Sequence, residues 1–199
     1  MDSPATIYVL DDDADLALSV TRFLQRSGYD ATAYSDAAVL LEDCKHKPPH
    51  CVISDVMMGE IDGFMVAEKL RRCAPTAAVI FITAWPKTSA AVDAIRNFGG
   101  IDYMEKPIQE QRLLDGVAEA VEWSSRRQAA LARLECLTPR EWDVFRLLAR
   151  GMSNKMIAAT LDIKPKTVED HRAAIMAKTR SSCVAHLVEL ERALERSGS

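Results

Sequence analysis

Short apolar runs alternate with stretches of helical periodicity over the first 122 residues of the chain. Thr6–Leu10 is a mostly apolar run rich in β-branched residues, which predicts a buried strand, and a helix is expected from near Ala14 to just before Gly28. The same alternation predicts strands at 31–34, 51–54, 79–82 and 101–104, and helices at 37–44, 64–72, 89–98 and from 109 onward. Five strands alternating with five helices predict an α/β domain with a five-stranded, doubly wound parallel sheet.

Residues 137–199 carry helix signals, which predict an all-α domain of four helices. Thr138, Pro139 and Glu141 have the order of an N-cap, a first-turn proline and a capping box, and Gly151 ends that helix. Further helix starts are expected at Ser153 or Asn154, at Pro165 and at about Cys183. The positions expected to face the helical core are Trp142, Phe145, Leu147, Leu148, Met156, Ile157, Ala158, Leu161, Val168, His171, Ile175, Met176, Val184, Leu187, Val188 and Leu190.

The segment between these two domains keeps helical spacing of apolar residues from Leu113 to Leu134. This pattern favours a helix that continues through residues 123–136. The competing interpretation is a flexible tether around Ser124–Ser125. The expected organisation is therefore a first domain over 1–122, a helical linker over 123–136 and a second domain over 137–199.

Composition narrows the class of protein. The hydrophobic fraction of 48% is that of a globular chain and excludes a wholly disordered one. No apolar run approaches the roughly 20 residues that span a bilayer, and Met1–Leu10 lacks the features of a secretory signal. We therefore expect a cytoplasmic protein with no membrane segment. The five cysteines lack CxxC spacing, which argues against a disulfide framework and against a zinc site.

The net charge of −4 hides a split between the two halves of the chain. Residues 1–122 carry 11 basic and 20 acidic side chains, whereas residues 123–199 carry 14 basic and 9 acidic ones. This asymmetry suggests that the acidic half meets a cation or phosphoryl chemistry and that the basic half meets a polyanion.

Polar side chains stand where four of the predicted strands end. Asp11 and Asp12 follow the first strand, and Asp55 follows the third. Thr83 ends the fourth strand and Lys106 follows the fifth. Because the carboxyl ends of parallel strands meet at one edge of a sheet, we expect these five side chains to lie close together.

Three clustered carboxylates repel one another, and a divalent cation relieves that repulsion. Carboxylate oxygens with water suit Mg²⁺, which prefers octahedral oxygen coordination. A lone aspartate after a strand is more often a helix cap, and Asp13 is expected to be one. Five polar groups at one edge, in this order, favour a functional site over five separate structural roles.

Asp11–Asp12, Asp55–Gly63, Thr83–Ala84 and Lys106–Pro107 resemble the motifs of the response-regulator receiver domain, a flavodoxin-like fold. The resemblance covers residues 5–122. It implies that a histidine kinase transfers a phosphoryl group to Asp55, a carboxylate nucleophile. It also implies that Mg²⁺ is the cofactor.

For the metal, the resemblance implies direct ligands from Asp12, Asp55 and the backbone carbonyl of Met57. Asp11 would contribute through water.

For the switch, the resemblance implies that Thr83 hydrogen-bonds the phosphoryl group, that Lys106 pairs with it, and that the ring of Tyr103 turns inward with Thr83. The bond between Lys106 and Pro107 is typically cis in this family. Two departures affect the kinetics expected at the site: Gly59 stands where proline is usual, and the bulky Trp85 stands beside Thr83.

Leu137–Glu141, Gly151–Ala158 and Lys166–Arg172 closely resemble the LuxR/FixJ-type DNA-binding domain over about 135–190. The basic excess taken alone fits a generic helical bundle with a solvated charged face better than it fits a DNA-binding helix-turn-helix. The resemblance implies a helix-turn-helix whose recognition helix, Lys166 to about Lys178, enters the major groove. The candidate DNA contacts are Lys155, Lys164, Lys166, Thr167, Glu169, Asp170 and Arg172.

These candidates differ in expected role. The lysines near helix starts suit phosphates, whereas Arg172, Glu169 and Asp170 suit base edges. His171 is expected in the core, and Arg180 stands where this family often has glycine.

The leading hypothesis is a magnesium-dependent transcriptional response regulator. Phosphorylation of Asp55 by a partner histidine kinase would promote homodimerisation and binding to a double-stranded operator, with RNA polymerase as a further partner. The alternative is a constitutive DNA-binding regulator whose receiver is a phosphorylation-independent dimerisation or sensing module. Apart from self-phosphorylation and autodephosphorylation, no enzymatic activity is expected. A stand-alone phosphohydrolase is disfavoured, because the basic helix-turn-helix would then have no function.

Overall fold

The computed structural model describes residues 3–59, 62–85 and 100–194. Within these ranges the chain divides into two compact units, one of residues 3–125 and one of residues 126–194. The helix predicted at 89–98 lies outside the described residues.

The first unit contains the predicted parallel sheet. Its strands are β1 (Thr6–Leu10), β2 (Asp30–Tyr34), β3 (Cys51–Asp55), β4 (Ala78–Thr83) and β5 (Gly100–Glu105). They pair in the order β2–β1–β3–β4–β5, and every pair is parallel. The five-stranded parallel sheet is confirmed. Because the strand order reverses between β1 and β3, the topological switch point lies beside the ends of these two strands.

Helices cover both faces of the sheet. They are α1 (Ala14–Arg26), α2 (Ala37–His46), α3 (Gly63–Cys73) and α4 (Glu110–Leu134). Alternate strand residues face opposite sides, so Tyr8 and Phe81 belong to the hydrophobic cluster that α2 and α3 cover. Ile7 and Ile80 belong to the cluster that α1 and the first half of α4 cover. The doubly wound arrangement follows from burial on both faces.

Aspartates cap the helices that follow β1 and β2. Asp13 accepts from the backbone N–H groups of Asp15 and Leu16 at the start of α1, and Asp36 accepts from the backbone N–H of Ala38 at the start of α2. The structural role expected for Asp13 is therefore confirmed, and Asp11 and Asp12 are left to the sheet edge.

The second unit contains the four predicted helices. They are α5 (Pro139–Ala149), α6 (Asn154–Leu161), α7 (Pro165–Lys178) and α8 (Val184–Leu194). Thr138 and Glu141 make both hydrogen bonds of the predicted capping box, and Ser153 rather than Asn154 caps α6. The core expectation was wrong for Met156, whose side chain is 54% exposed. Its neighbour Ile157 fills the core instead.

Helix α4 is continuous from Glu110 to Leu134. Its last turns contribute Ala130 and Leu134 to the hydrophobic core of the second unit, so this part of α4 packs as a helix of that unit. The linker boundaries at 123 and 136 stay a prediction. Among the described residues, no helix is both long and apolar enough to cross a membrane.

The start of α3 lies against the end of β3 at Gly63. A Cβ atom on Gly63 would lie well inside van der Waals contact of the carbonyl oxygen of Asp55, and 3.0 Å from Oγ of Ser54. We predict that Gly63→Ala destabilises the first unit by about 1–3 kcal/mol, because the backbone of β3 must move to admit the methyl group. Native-state hydrogen exchange of the amides of β3 and β4 measures this change.

The control is Lys69→Ala, on the exposed face of the same helix. It should change the free energy of opening by less than about 0.5 kcal/mol. Equal exchange rates in the two variants would contradict the close approach of α3 to β3.

Candidate functional site

The sheet brings four of the predicted side chains to one edge. Asp55 and Thr83 are the last residues of β3 and β4, while Asp11 and Lys106 each directly follow a strand. Lys106 Nζ donates to Oδ2 of Asp11 at 2.7 Å and to Oδ2 of Asp55 at 2.6 Å. These residues lie 95 and 51 positions apart in sequence, so the parallel strand order alone makes the contact.

A third carboxylate completes the cluster. Asp11, Asp12 and Asp55 each offer a carboxylate oxygen, and these oxygens lie within 4.8 Å of one another. Asp11 and Asp55 are buried, whereas Asp12 is exposed. Burial alone would lower the pKa of Lys106, but hydrogen bonds to Asp11 and Asp55 outweigh it and raise that pKa. Three carboxylates beside one ammonium leave a net negative charge, and this hard-oxygen set fits Mg²⁺.

The backbone fixes the orientation of the buried carboxylates. The N–H of Met57 donates to Oδ1 of Asp55 at 3.1 Å, and the N–H of Asp13 donates to Oδ1 of Asp11 at 3.0 Å. With Oδ1 of Asp55 held by the backbone and Oδ2 held by Lys106, the carboxylate has little rotational freedom. The peptide bond between Lys106 and Pro107 is cis, as expected.

Thr83 and Trp85 lie on the β4 side of the cluster. Thr83 is fully buried, and its Oγ1 accepts from the backbone N–H of Trp85 at 3.1 Å. The indole of Trp85 is 74% exposed and the side chain of Met57 is 62% exposed, so both apolar groups stand at the open rim of the site.

Tyr103 packs its ring against the hydrophobic cluster that contains Phe81. Its hydroxyl is buried, and in the described part of the chain it has no hydrogen-bond partner. The backbone N–H of Tyr103 donates to Oδ1 of Asp102, and the carboxylate of Asp102 pairs with Arg112 at 2.5 Å. Sequence reasoning missed Asp102 and Arg112, because nothing in their spacing shows that they meet across the turn between β5 and α4.

The candidate DNA interface lies on α6 and α7. Lys166 Nζ lies 3.3 Å from Glu169 and 3.5 Å from Asp170, one turn further along the same exposed face of α7. The hydrogen bond to Glu169 and the charge of Asp170 raise the pKa of Lys166. The side chains of His171 and Arg172 are half-buried, whereas those of Glu169 and Asp170 are exposed.

The remaining candidates surround the start of α7. Lys164 is the N-cap of α7 and makes no side-chain capping hydrogen bond. Lys155 is exposed on the first turn of α6, and Thr167 is half-buried beside Lys166. The short connection between α6 and α7 begins at Asp162, whose φ of 50° is left-handed. Two helices joined by this turn form the predicted helix-turn-helix.

A parallel sheet with this cluster at its carboxyl edge, together with a helix-turn-helix unit, defines the class of two-domain bacterial regulators. A family model described as the response regulator receiver domain matches residues 7–118. A second, described as bacterial regulatory proteins of the luxR family, matches residues 135–189. The chain belongs to the response regulators of the LuxR/FixJ type, which combine a receiver domain with a LuxR-type DNA-binding domain.

Full-length relatives agree with both matches. The chain is 32% identical over 197 residues to the transcriptional regulatory protein FixJ of Bradyrhizobium diazoefficiens, with 96% of each chain covered. It is 33% identical over 190 residues to the tetrathionate response regulatory protein TtrR of Salmonella typhimurium, covering 92% of this chain and 90% of the relative. A crystal structure of full-length FixJ from B. japonicum aligns with a TM-score of 0.56 at 31% identity, over 97% of this chain and 98% of that one.

The buried hydroxyl of Tyr103, which has no hydrogen-bond partner in the described part of the chain, lowers the stability of the first unit. We predict that Tyr103→Phe stabilises the first unit by about 1 kcal/mol, because it removes a buried polar group that has no partner among the described residues. Tyr34→Phe is the matched control, since the hydroxyl of Tyr34 donates to Asp43 at 2.9 Å.

That control should destabilise the unit by about 1 kcal/mol. Removal of a tyrosine hydroxyl should therefore raise stability at position 103 and lower it at position 34. Hydrogen exchange of the buried strand amides measures both variants. A loss of stability in Tyr103→Phe as large as that in Tyr34→Phe would contradict a Tyr103 hydroxyl that is buried with no partner among residues 3–59, 62–85 and 100–194.

Proposed function

We propose that this protein is a transcriptional regulator switched by magnesium-dependent phosphorylation of Asp55 by a partner histidine kinase. The observation that carries the proposal is the bridge of Lys106 between Asp55 and Asp11, at the edge where a third carboxylate converges. One ammonium group offsets only part of the charge of these three carboxylates. Here the cation sits beside a nucleophile that the backbone already orients.

The reaction follows from these positions. An oxygen of the Asp55 carboxylate attacks phosphorus, an acyl phosphate bond forms, and the P–N bond to the kinase imidazole breaks. Lys106 Nζ lies within hydrogen-bond distance of Asp55 and meets an oxygen of the incoming phosphoryl group. The hydroxyl of Thr83 donates to another phosphoryl oxygen.

Magnesium would be held by Asp12, Asp55 and the carbonyl of Met57, with Asp11 contributing through water. When bound, it supplies the positive charge that offsets three carboxylates and the phosphoryl group. The exposed position of Asp12 at the open side of the cluster favours this assignment, because the ion and its waters need room that the buried carboxylates do not provide.

Phosphorylation would act through Thr83 and Tyr103. When the Thr83 hydroxyl turns to the phosphoryl group, the space between β4 and β5 changes, and the inward position of the Tyr103 ring becomes favoured. A shift of this kind would promote homodimerisation and the binding of two operator half-sites arranged as an inverted repeat. RNA polymerase would be a further partner on the DNA.

We test the switch with a small phosphodonor, acetyl phosphate, with and without Mg²⁺. Intact mass should rise by one phosphoryl group only when Mg²⁺ is present, and the Asp55→Asn variant should show no rise. Sedimentation should then show a dimer for the phosphorylated chain, and its affinity for DNA selected from a random library should increase.

Asp43→Asn is the control, because Asp43 lies on α2 outside the carboxylate cluster and it should label as the unmodified chain does. Normal labelling of Asp55→Asn would exclude Asp55 as the phosphoacceptor. If the unmodified chain is phosphorylated but stays a monomer in sedimentation and its DNA affinity is unchanged, the receiver is a phosphorylation-independent module and the regulator is constitutive.

For DNA recognition we propose that Lys155, Lys164, Lys166 and Thr167 contact phosphates, and that Glu169, Asp170 and Arg172 read base edges. Glu169 and Asp170 lie on the exposed face of α7, where an acid accepts a hydrogen bond from the amino group of cytosine. On this assignment, Lys166 exchanges its two acidic neighbours for a phosphate when α7 enters the groove.

We predict that Asp170→Asn shifts the preferred base at one position of the operator from cytosine towards adenine, because an amide pairs with the adenine edge. Selection from a random DNA library measures the preference. Lys155→Ala is the contrasting variant, and it should weaken binding to all sequences alike and lower the salt slope by about 1. An unchanged base preference in Asp170→Asn would remove Asp170 from the base contacts.

A further inference from the structure

The last turns of α4 lie outside both family matches, which end at residue 118 and begin at residue 135. In the structure these turns are an integral part of the second unit. Leu134 is fully buried and Ala130 is 3% exposed, and both pack in the core with Phe145 and Ile175. A tether with no structural role would not bury its apolar side chains in this core.

Two arginines on these turns bind the carboxyl ends of two helices. Arg133 donates from Nε and Nη2 to the carbonyl oxygen of Thr179, at 2.9 and 2.6 Å, and Thr179 is the C-cap of α7. Arg127 donates to the carbonyl oxygens of Ala193 and Leu194 at the end of α8. The last carbonyls of a helix have no intrahelical partner and carry partial negative charge, so a guanidinium satisfies both needs.

Other contacts reinforce the same end of α7. Lys178 Nζ donates to the buried carboxylate of Glu141 at 2.7 Å, and that carboxylate also accepts from the N–H of Thr138. The hydroxyl of Thr179 is buried, donates to the carbonyl of Ile175 at 2.8 Å and lies 2.9 Å from Oγ of Ser181. The hydrogen bond from Lys178 holds the pKa of Glu141 below its usual range. The carboxyl end of α7 is therefore tied to α4 and α5.

The amino end of α7 has a different character. Its N-cap, Lys164, makes no side-chain capping bond. The ion pairs of Lys166 with Glu169 and Asp170 lie within α7 itself, on exposed side chains. Among the described residues, the polar contacts that other elements make with α7 lie at its carboxyl end, about 20 Å along the helix from Lys166, whereas its amino half is held in the core by the buried side chain of Val168.

We infer that residues 126–134 are a fifth helix of the DNA-binding unit and that Arg133 is a positioning residue for the recognition helix α7. By holding the carbonyl of Thr179, Arg133 sets the position of α7 in the major groove without touching DNA. This inference rests on the proposed DNA-binding function of α7.

The test compares full-length variants on two DNA duplexes: one that the unmodified chain enriches from a random library, and one of scrambled sequence. For Arg133→Ala we expect the ratio of the two affinities to fall about tenfold, the size of losing one good base contact, because a displaced α7 misaligns its reading face. Arg133→Lys keeps the charge and one donor, and it should recover most of the ratio.

Two controls separate positioning from charge and from stability. Arg192→Ala removes an exposed arginine of α8, and it should leave the ratio within twofold. Leu134→Ala leaves a cavity in the core beside Arg133 but keeps the guanidinium on Thr179. It should lower the melting temperature, while the ratio of the two affinities should fall less than in Arg133→Ala. A ratio that falls as far in Leu134→Ala as in Arg133→Ala would overturn the positioning role, as would an unchanged ratio in folded Arg133→Ala.

Hydrogen exchange keeps the inference testable if Arg133→Ala does not fold. The amides of Thr179 and Ser181 donate to the carbonyls of Ile175 and Met176. In Arg133→Met, which keeps an unbranched apolar stem but has no hydrogen-bond donor, these amides should exchange faster than in Arg192→Ala. Equal rates would overturn the anchoring. If the unmodified chain enriches no sequence, the proposed DNA function fails, and the exchange comparison still decides whether Arg133 holds α7.

Discussion

The hydrogen bonds from Lys106 to Asp11 and Asp55 hold together the polar cluster at the edge of the sheet. Two buried carboxylates at one sheet edge are tolerable only with a cation beside them. The ammonium supplies part of that charge, and the exposed Asp12 leaves one side open for more. The site therefore keeps a net negative charge, which is a condition that suits a divalent cation with oxygen ligands.

The second unit must hold α7 in a fixed position although one face of this helix is exposed and polar. A recognition helix must expose polar side chains on the face that meets DNA, so that face contributes nothing to the core. The structure compensates at the other end of α7, where Arg133, Glu141 and the buried Thr179 satisfy groups that would otherwise face an apolar interior. On the exposed face of α7, Lys166 pairs with two acids of its own helix, Glu169 and Asp170.

Local signals in the sequence predicted the elements well, because the signal and the structure involve neighbouring residues. The alternation of apolar runs predicted the strands to within a residue or two at each end. The capping box of Thr138 and Glu141 predicted the start of α5, since its two hydrogen bonds join residues three positions apart. Met156 was wrongly expected in the core, because both it and Ile157 fit a helical apolar pattern and only packing against neighbouring helices selects one of them.

The sequence by itself determined the parallel sheet, the polar residues at its carboxyl edge and the four helices of residues 137–199, because these follow from periodicity, strand ends and short-range capping. That two of these helices form a helix-turn-helix came from the resemblance to the LuxR/FixJ-type domain. Tertiary structure alone decided that Asp102 meets Arg112, that the Tyr103 hydroxyl is buried without a partner in the described region, and that the last turns of α4 belong to the second unit. The physical reason is distance along the chain. The bond from Arg133 to Thr179 spans 46 residues, and no local pattern records which carbonyl a surface arginine will bind.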